Sequence, residues 1–248
     1  MTEKRLRILV VLGMIALVEL LCRTGIIPYT VMMSPIQMTG EMVRVLASGQ
    51  FSADIVTSFA NIAIATVVSI LLGFVLGLII YAMPGVRRAL EPLLASYYAV
   101  PTFVFYPIFV TLFGVGSASI ISIAVLLAVV SMITATLNGL DRIPRVLRKT
   151  GQIYRMSRVQ TALLIELPAA LPYLFTGVKL SVAYSFIGVI ASEFILSGAG
   201  IGYAIAFAYN LFENGDMYGL MLLVLVVVTI VNTALNMIDR RLQARRQR

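Results

Sequence analysis

The stretch that decides the fold is PLLASYYAVPTFVFYPIFVTLFGVGSASIISIAVLLAVVSMITATLNGL, residues 92–140. Its 49 residues include no Asp, Glu, Lys or Arg. An α-helix rises about 1.5 Å per residue, and about 20 apolar residues cross the hydrocarbon core of a bilayer. The stretch is therefore too long for one crossing, and the turn Gly114-Val115-Gly116-Ser117 divides it into two membrane spans.

Uncharged stretches of this kind recur along the chain. No Asp, Glu, Lys or Arg occurs in residues 55–86 or 217–238, and 12% of the 248 residues are charged, against about 25% in soluble domains. Such runs indicate transmembrane helices, whereas strands of a membrane barrel would alternate apolar and polar residues. We therefore expect an all-α polytopic membrane protein with six transmembrane helices. They are expected at about 6–22, within 55–83, twice within 92–140, at about 173–196 and at 217–238.

The third span contains two prolines, Pro101 and Pro107. Proline lacks an N–H group and clashes with the preceding helical turn. We expect this span to be kinked or broken there.

The basic residues determine the orientation of the spans. Six spans place the N-terminus, the 84–91 loop, the 139–170 loop and the C-terminus on one side, with 16 of the 19 Lys and Arg residues. Cytoplasmic loops carry such an excess, so both termini are expected in the cytoplasm, in a cell inner (plasma) membrane. No small-residue cleavage site follows Val18, and we expect the first span to be retained. The net charge of +8 then reflects the basic residues on the cytoplasmic side, next to membrane lipid, and not nucleic-acid binding.

Residue types needed for common chemistry are missing from the sequence. It has one cysteine, Cys22, and no histidine, which removes an internal disulfide, the usual general base and the usual metal ligand. It has no G-x-x-x-x-G-K-[ST] phosphate-binding loop. We therefore expect neither an enzyme nor a cofactor or metal on this chain.

The patterns divide the chain into three parts. We expect an N-terminal span and external segment over 1–53, a core of five spans over 54–240 that includes a loop at 141–170, and a basic tail over 241–248. In the second span, Ser69, Gly73 and Gly77 recur every four residues, and small residues let helices approach closely. Close packing within one subunit and a moving interface between subunits both fit this spacing.

The stretch 141–172 is a long loop with the pattern of two short helices joined near Arg155-Met156. Pro144 fits the first turn of one helix with Asp141 as a cap, and Ser157 fits the cap of a second helix that runs to Leu167-Pro168. In the first helix the apolar side has Val146, Leu147, Ile153 and Tyr154, and the basic side has Arg145, Arg148, Lys149, Gln152 and Arg155. Two interpretations stay open: an interfacial helix whose arginines meet lipid headgroups, or a docking surface for a cytoplasmic partner.

From this loop onward the sequence resembles a known family. The matching residues are Leu167-Pro168-Ala169-Ala170-Leu171-Pro172-Tyr173, Gly177-Val178-Lys179-Leu180, Ile190-Ala191-Ser192-Glu193-Phe194 and Gly200-Ile201-Gly202-Tyr203, with Val100-Pro101-Thr102 and Leu112-Phe113-Gly114-Val115-Gly116 upstream. In this order they resemble the permease subunits of ATP-binding-cassette (ABC) importers, in particular the nitrate, sulfonate and taurine group. The resemblance covers about residues 54–240.

The resemblance implies transport without chemistry on this chain. A pathway would form between two permease subunits, and a cytoplasmic dimer of ATP-binding subunits would carry ATP and Mg²⁺. Each permease would place its loop helix, the coupling helix, in a groove of that ATPase, and an external binding protein would deliver the substrate. The substrate class implied is a small organic or inorganic anion such as a sulfonate. The implied coupling residues are Arg145, Arg148, Lys149, Thr150, Gly151, Ile153, Tyr154, Arg155, Met156 and Ser157.

The loop departs from the family pattern at two places. The family's Glu-Ala-Ala motif falls on Lys149-Thr150-Gly151, and the family's turn glycine falls on Arg155. The change from Glu to Lys reverses a charge, and Arg is conformationally unfavourable if the turn needs a positive φ. One interpretation is a heteromeric pair with a second permease that has the intact motif, and the other is drift within a homodimer.

Few polar side chains lie within the spans. Glu193 is the main candidate, because a central carboxylate costs about 2.5–3.5 kcal/mol unless it faces a cavity or a partner. It fits a structural hydrogen-bonding role or contact with substrate. Lys179 would favour an anionic substrate if it reaches the pathway. Other candidates for lining the pathway are Tyr97, Pro101 and Phe103, whereas Asn61 and Asn138 are expected to bond between helices.

The alternative function is a stand-alone channel or a secondary transporter. Such proteins often have inverted repeats and several ionisable residues at mid-membrane. The sequence has no internal repeat that we detect and one clear acid within a span. An intramembrane enzyme lacks the histidine or paired acids that it would need.

Overall fold

The computed structural model describes residues 3–29 and 31–246, and every regular element in these ranges is helical. The all-α prediction is therefore confirmed for the described residues. The α-helices in this part of the chain are α1 Glu3–Arg23, α2 Pro35–Ser48, α3 Ser52–Ala82, α4 Pro84–Ser96, α5 Tyr106–Phe113, α6 Ser117–Asp141, α7 Arg145–Ile153, α8 Arg158–Thr161, α9 Leu167–Leu196, α10 Ile201–Asn210 and α11 Asn214–Arg246. Short 3-10 helices at Tyr97–Ala99 and Thr102–Phe105 lie between α4 and α5, and a π-helix at Ala162–Glu166 joins α8 to α9.

Four helices are long and apolar enough to cross a membrane. They are Ser52–Ala82, Ser117–Asp141, Val159–Ile195 and Asn214–Arg241, which include the second, fourth, fifth and sixth predicted spans. The fifth predicted span begins earlier than expected because α8, the π-helix and α9 are continuous. A fifth candidate is a bent pair of helices in the region of the third span. The helix α1 carries Arg5, Arg7, Glu19 and Arg23 and is not among these candidates, so the count of six stays a prediction.

The third span is broken at Pro101, as predicted. Its two halves, Pro84–Ala99 and Thr102–Phe113, meet at an angle of 97°. Pro107 does not interrupt a helix, because it lies in the first turn of α5, where backbone N–H groups have no hydrogen-bond partner within the helix. The prediction of a kink at Pro107 is therefore wrong.

The central helix α6 packs between α3 and α9. A turn at Gly114 and Gly116, with φ angles of 78° and 147°, precedes it as predicted. On α3, a Cβ atom at Gly77 would lie 2.7 Å from the Cβ of Thr136. The small residues of α3 therefore pack within the chain, which favours the first interpretation of their spacing.

Two further helices, α2 and α10, were not expected from the sequence. The first turn of α2 has a capping box, in which the Ser34 hydroxyl accepts from the Gln37 N–H and the Gln37 side chain accepts from the Ser34 N–H. The Arg44 side chain forms ion pairs with Glu41 and with Asp216 in α11. Apolar side chains of α2, α10 and α11 form one buried cluster around Val45 and Ile201.

Candidate functional site

The loop segment, residues 141–172, contains a well-formed helix. The helix α7 runs from Arg145 to Ile153 after Pro144, as the pattern predicted. Asp141 is not its cap, because it ends α6 and its carboxylate accepts two hydrogen bonds from the guanidinium of Arg87. The prediction that Asp141 caps this helix is therefore wrong.

The second predicted helix is present but is not separate. Ser157 caps it, since its hydroxyl accepts from the Gln160 N–H at 3.2 Å and the Gln160 side chain accepts from the Ser157 N–H at 2.9 Å. The helix then continues through the π-helix Ala162–Glu166 into α9. This second helix is therefore continuous with a helix that is long and apolar enough to cross a membrane.

The turn between the two helices has the Schellman geometry that commonly ends a helix. The Met156 N–H donates to the Gly151 carbonyl at 2.9 Å, and the Arg155 N–H donates to the Gln152 carbonyl at 3.1 Å. Arg155 has a φ of 50°, the left-handed conformation that favours glycine. The positive φ on which the sequence argument depended is therefore present at Arg155.

The helix α7 does not face the bundle with its apolar side. Val146, Ile153 and Tyr154 are 72%, 78% and 75% exposed, whereas Gly151 is buried. A Cβ atom at Gly151 would lie 2.8 Å from the hydroxyl of Thr161, so this glycine allows the close approach of the following helix. The apolar side of α7 therefore faces away from the bundle.

One basic side chain, Arg148, points toward the bundle instead. Its guanidinium donates to the Tyr81 hydroxyl at 2.6 Å and to the Leu140 carbonyl at 2.9 Å, and its Nε lies 3.2 Å from a Glu166 oxygen. The hydrogen bond with Tyr81 raises the pKa of Arg148 although partial burial opposes it, so the group stays charged. Acceptors supplied by three other elements explain why Arg148 turns inward.

The other predicted coupling residues lie on or near the outer surface. Arg145, Lys149, Arg155 and Ser157 are exposed, and Met156 is half-buried. The Thr150 hydroxyl is half-buried and donates to the Val146 carbonyl in the same helix. The outward surface of α7 therefore combines cationic and apolar side chains.

Glu193 is enclosed in a hydrogen-bonded clamp that joins three helices. Its side chain is fully buried and accepts from the Ser58 hydroxyl at 2.5 Å, the Asn61 amide at 3.3 Å and the Gly202 N–H at 3.2 Å. Ser58 and Asn61 belong to α3, Glu193 to α9 and Gly202 to α10. This arrangement is that of a structural carboxylate, and it includes the expected interhelical bond of Asn61.

The start of α10 is built around this clamp. The Ser58 hydroxyl also accepts from the Ile201 N–H at 2.7 Å, and the Asp54 carboxylate accepts from the Gly200 N–H at 2.8 Å. A Cβ atom at Gly200, where φ is 103°, would lie 2.4 Å from the Glu193 carboxyl carbon. Sequence reasoning missed Asp54 and Ser58, although their spacing places both on one side of α3.

The remaining pathway candidates are scattered rather than gathered at one site. The Lys179 ammonium donates to the Asp239 carboxylate at 2.9 Å, which joins α9 to α11. The Tyr97 hydroxyl donates to the Leu126 carbonyl at 2.8 Å, Phe103 is half-buried, and Pro101 is exposed at the break of the third span. Asn138 is exposed and makes no side-chain hydrogen bond to the described residues.

No candidate metal site was found in residues 3–29 and 31–246: they include no cluster of three or more His, Cys, Asp or Glu side chains that could hold an ion. Glu193, Arg148 and Lys179 instead bond to other protein groups.

Comparison with protein families identifies the greater part of the chain. A family model described as "Binding-protein-dependent transport system inner membrane component" matches residues 69–248. The nitrate import permease protein NrtB of Leptolyngbya laminosa is 28% identical over 183 residues, which cover 74% of this chain and 64% of the relative. The taurine transport system permease protein TauC of Escherichia coli is 25% identical over 75% of this chain and 67% of its own length. The putative aliphatic sulfonates transport permease protein SsuC of Bacillus subtilis is 23% identical over 92% and 83%.

Comparison with solved structures concerns the fold. An inward-facing structure of the MetNI methionine ABC transporter superposes with a TM-score of 0.65 at 17% identity, over 85% of this chain and 99% of that chain. At this identity the likeness establishes the fold alone. The matched region spans slightly less than two thirds of the nitrate permease above.

Proposed function

The chain belongs to the inner-membrane components of binding-protein-dependent transport systems, in the nitrate, sulfonate and taurine group of ABC importer permeases, and we propose that it couples an ATPase to transport. It forms the substrate pathway together with a second permease subunit. The observation that carries the proposal is the outward surface of α7, where Val146, Ile153 and Tyr154 are exposed beside Lys149. A cytoplasmic dimer of ATP-binding subunits, which holds ATP and Mg²⁺, covers this surface.

The proposed orientation places α7 in the cytoplasm together with both termini. The distribution of 16 of 19 basic residues supports it through the positive-inside rule. The helix α1 supports six crossings, because its apolar side chains from Ile8 to Met14 are about half or more exposed and so are available to lipid or another subunit.

The proposed substrate is a small anion. The relatives are named for nitrate, taurine, aliphatic sulfonates and bicarbonate. Within this chain Lys179 is paired with Asp239 and Glu193 is enclosed, so neither is available to an anion in the described arrangement. We assign selectivity to an external binding protein, which delivers the substrate to the pathway.

The proposal is tested by uptake into proteoliposomes that contain the permease pair and the ATPase subunits. Labelled nitrate, taurine and bicarbonate are supplied with the external binding protein of the system. We expect uptake of one of them that requires ATP and stops when the phosphate-loop lysine of the ATPase is replaced. Uptake that persists with the inactive ATPase would refute the proposal and favour a stand-alone channel or secondary transporter.

The identity of the second permease is tested in the same preparation. Two differently tagged copies of this chain are expressed together and purified through one tag. Recovery of the second tag without another membrane subunit means a homodimer, whereas recovery of a different permease means a heteromeric pair.

A further inference from the structure

The position of Arg148 on α7 differs from that of its basic neighbours. Arg145 and Lys149 are exposed and make no side-chain hydrogen bond or ion pair with the described residues. Arg148 instead reaches the Tyr81 hydroxyl at 2.6 Å, the Leu140 carbonyl at 2.9 Å and the Glu166 carboxylate at 3.2 Å. These three groups belong to the end of α3, the end of α6 and the π-helix that leads into α9. One side chain of α7 therefore contacts three of the candidate spans.

A second arginine extends this set to α4. The guanidinium carbons of Arg87 and Arg148 lie 5.8 Å and 5.9 Å from the centre of the Tyr81 ring, within the range of a cation–π interaction. Arg87 also forms a bidentate ion pair with Asp141, at 2.8 Å and 2.5 Å. We call Tyr81, Arg87, Asp141, Arg148 and Glu166 the arginine clamp. Its members lie on α3, α4, α6, α7 and the π-helix.

The contact of α7 with α8 is of a different kind. Gly151 contacts Thr161 in α8 by close approach, without a charged group. The π-helix Ala162–Glu166 follows, and single π-turns inside helices are local irregularities that often occur at functional sites. Glu166, the last residue of this π-helix, is the group that Arg148 reaches.

We propose that Arg148 is a positioning residue that transmits displacements of α7 to α3, α6 and the base of α9. This inference rests on the proposed function, since it concerns how the spans follow the ATPase. The planar guanidinium donates two hydrogen bonds, to Tyr81 and Leu140, and forms an ion pair with Glu166, a set that neither an aliphatic chain nor a single ammonium reproduces. Without Arg148, α7 keeps its outward docking surface but loses its direct bonds to the spans. ATP hydrolysis then continues while the spans no longer follow it.

The test compares Arg148→Ala with Arg148→Lys, Tyr81→Phe and the matched control Arg88→Ala in the complete reconstituted complex. Arg88 is an exposed arginine beside Arg87, and its side chain bonds to Pro84 in its own helix. Three quantities are measured: recovery of the ATPase subunits with the permease, the rate of ATP hydrolysis, and substrate transported per ATP hydrolysed.

We expect Arg148→Ala to assemble and hydrolyse ATP but to transport at least about fivefold less substrate per ATP, the lower range of allosteric coupling. Arg148→Lys should recover part of this ratio because it keeps the charge, and Tyr81→Phe should lose less because the ring remains. Arg88→Ala should match the unmodified complex. An unchanged ratio for Arg148→Ala in an assembled complex would overturn the inference.

Two further outcomes are informative. If Arg148→Ala does not fold, then normal ratios for both Tyr81→Phe and Glu166→Gln would overturn the inference. If the folded Arg148→Ala permease loses its ATPase subunits, Arg148 belongs to the docking surface and the inference is also wrong. Absence of ATP-driven transport in the unmodified complex would refute the proposed function, a result distinct from all of these.

Discussion

Replacement of Glu193 by leucine should destabilise the protein strongly. The carboxylate accepts hydrogen bonds from Ser58, Asn61 and Gly202 in a fully buried position. Leucine has a similar size and no acceptor, so three buried donors would lose their partner. Each unsatisfied buried group costs about 1–3 kcal/mol, and with partial relaxation we expect a loss of at least about 3 kcal/mol. For a chain of this size that lowers the melting temperature by about 6–12 °C.

Glutamine at the same position separates the roles of charge and hydrogen bonding. It keeps one carbonyl acceptor for Ser58 and Gly202, and the Asn61 amide can reverse to accept from the new amide group. We therefore expect Glu193→Gln to lose only about 1 kcal/mol, the net contribution of one hydrogen bond. Normal uptake by this variant would remove Glu193 from any contact with substrate.

The assay is thermal unfolding of the detergent-solubilised permease, with folded yield and uptake measured separately. The matched control is Glu91→Leu, because Glu91 is an exposed acid on α4 and surface changes are usually within about 0.5 kcal/mol. Equal melting temperatures for Glu193→Leu and Glu91→Leu would refute the claim that the hydrogen bonds of Glu193 stabilise the fold. So would a larger loss for glutamine than for leucine.

Three further predictions concern stability and are measured by thermal unfolding. Gly77→Ala should destabilise the protein by about 1–3 kcal/mol, because the new Cβ would lie 2.7 Å from the Cβ of Thr136. The control Gly13→Ala, whose Cβ would have no atom within 4 Å, should stabilise it by about 0.5–1 kcal/mol. Equal effects of the two substitutions would contradict the packing of α3 on α6. Arg155→Gly should stabilise by about 1 kcal/mol, because it relieves the left-handed conformation at φ 50°, and a loss of stability would show that the Arg155 side chain makes a compensating contact. Lys179→Met should destabilise by about 1.5 kcal/mol, the net value of a hydrogen bond between charged groups, because Asp239 keeps a further interaction. Exchange of Lys179 and Asp239 should recover part of the loss, and no recovery would mean that the two side chains do not act as an ion pair.

The membrane helices were predictable because their signal is repeated over many residues. The run of 49 uncharged residues at 92–140 and the glycines at 114 and 116 specify two helical regions and the turn between them, and the structure has both. The break at Pro101 followed from the chemistry of proline. The helix α10 was missed because it has ten residues and lies between two longer helices. It follows Gly200, where a side chain would clash with the carboxylate of the distant Glu193.

The orientation of α7 shows why a periodic pattern does not determine which side of a short helix is buried. The pattern separated the apolar and basic sides of α7 but did not indicate which side packs against the bundle. The groups that hold Arg148 inward belong to Tyr81, Leu140 and Glu166, which lie in three other elements of the chain. The sequence raised a positive φ at Arg155 as a condition, and the structure has it because it depends on a local turn and not on tertiary contacts.

Site-specific cross-linking of α7 to the ATPase tests the central claim most directly. The chain has one cysteine, so Cys22→Ser gives a background in which Ile153→Cys carries the only thiol of the permease. Ile153 is 78% exposed on α7, and the matched control is Ile36→Cys, at an isoleucine that is 58% exposed on α2. In the reconstituted complex we predict that a short bifunctional reagent joins Ile153→Cys to the ATP-binding subunit and leaves Ile36→Cys unlinked to it. No product at position 153, or equal products at both positions, would contradict the claim that the outward surface of α7 docks on the ATPase.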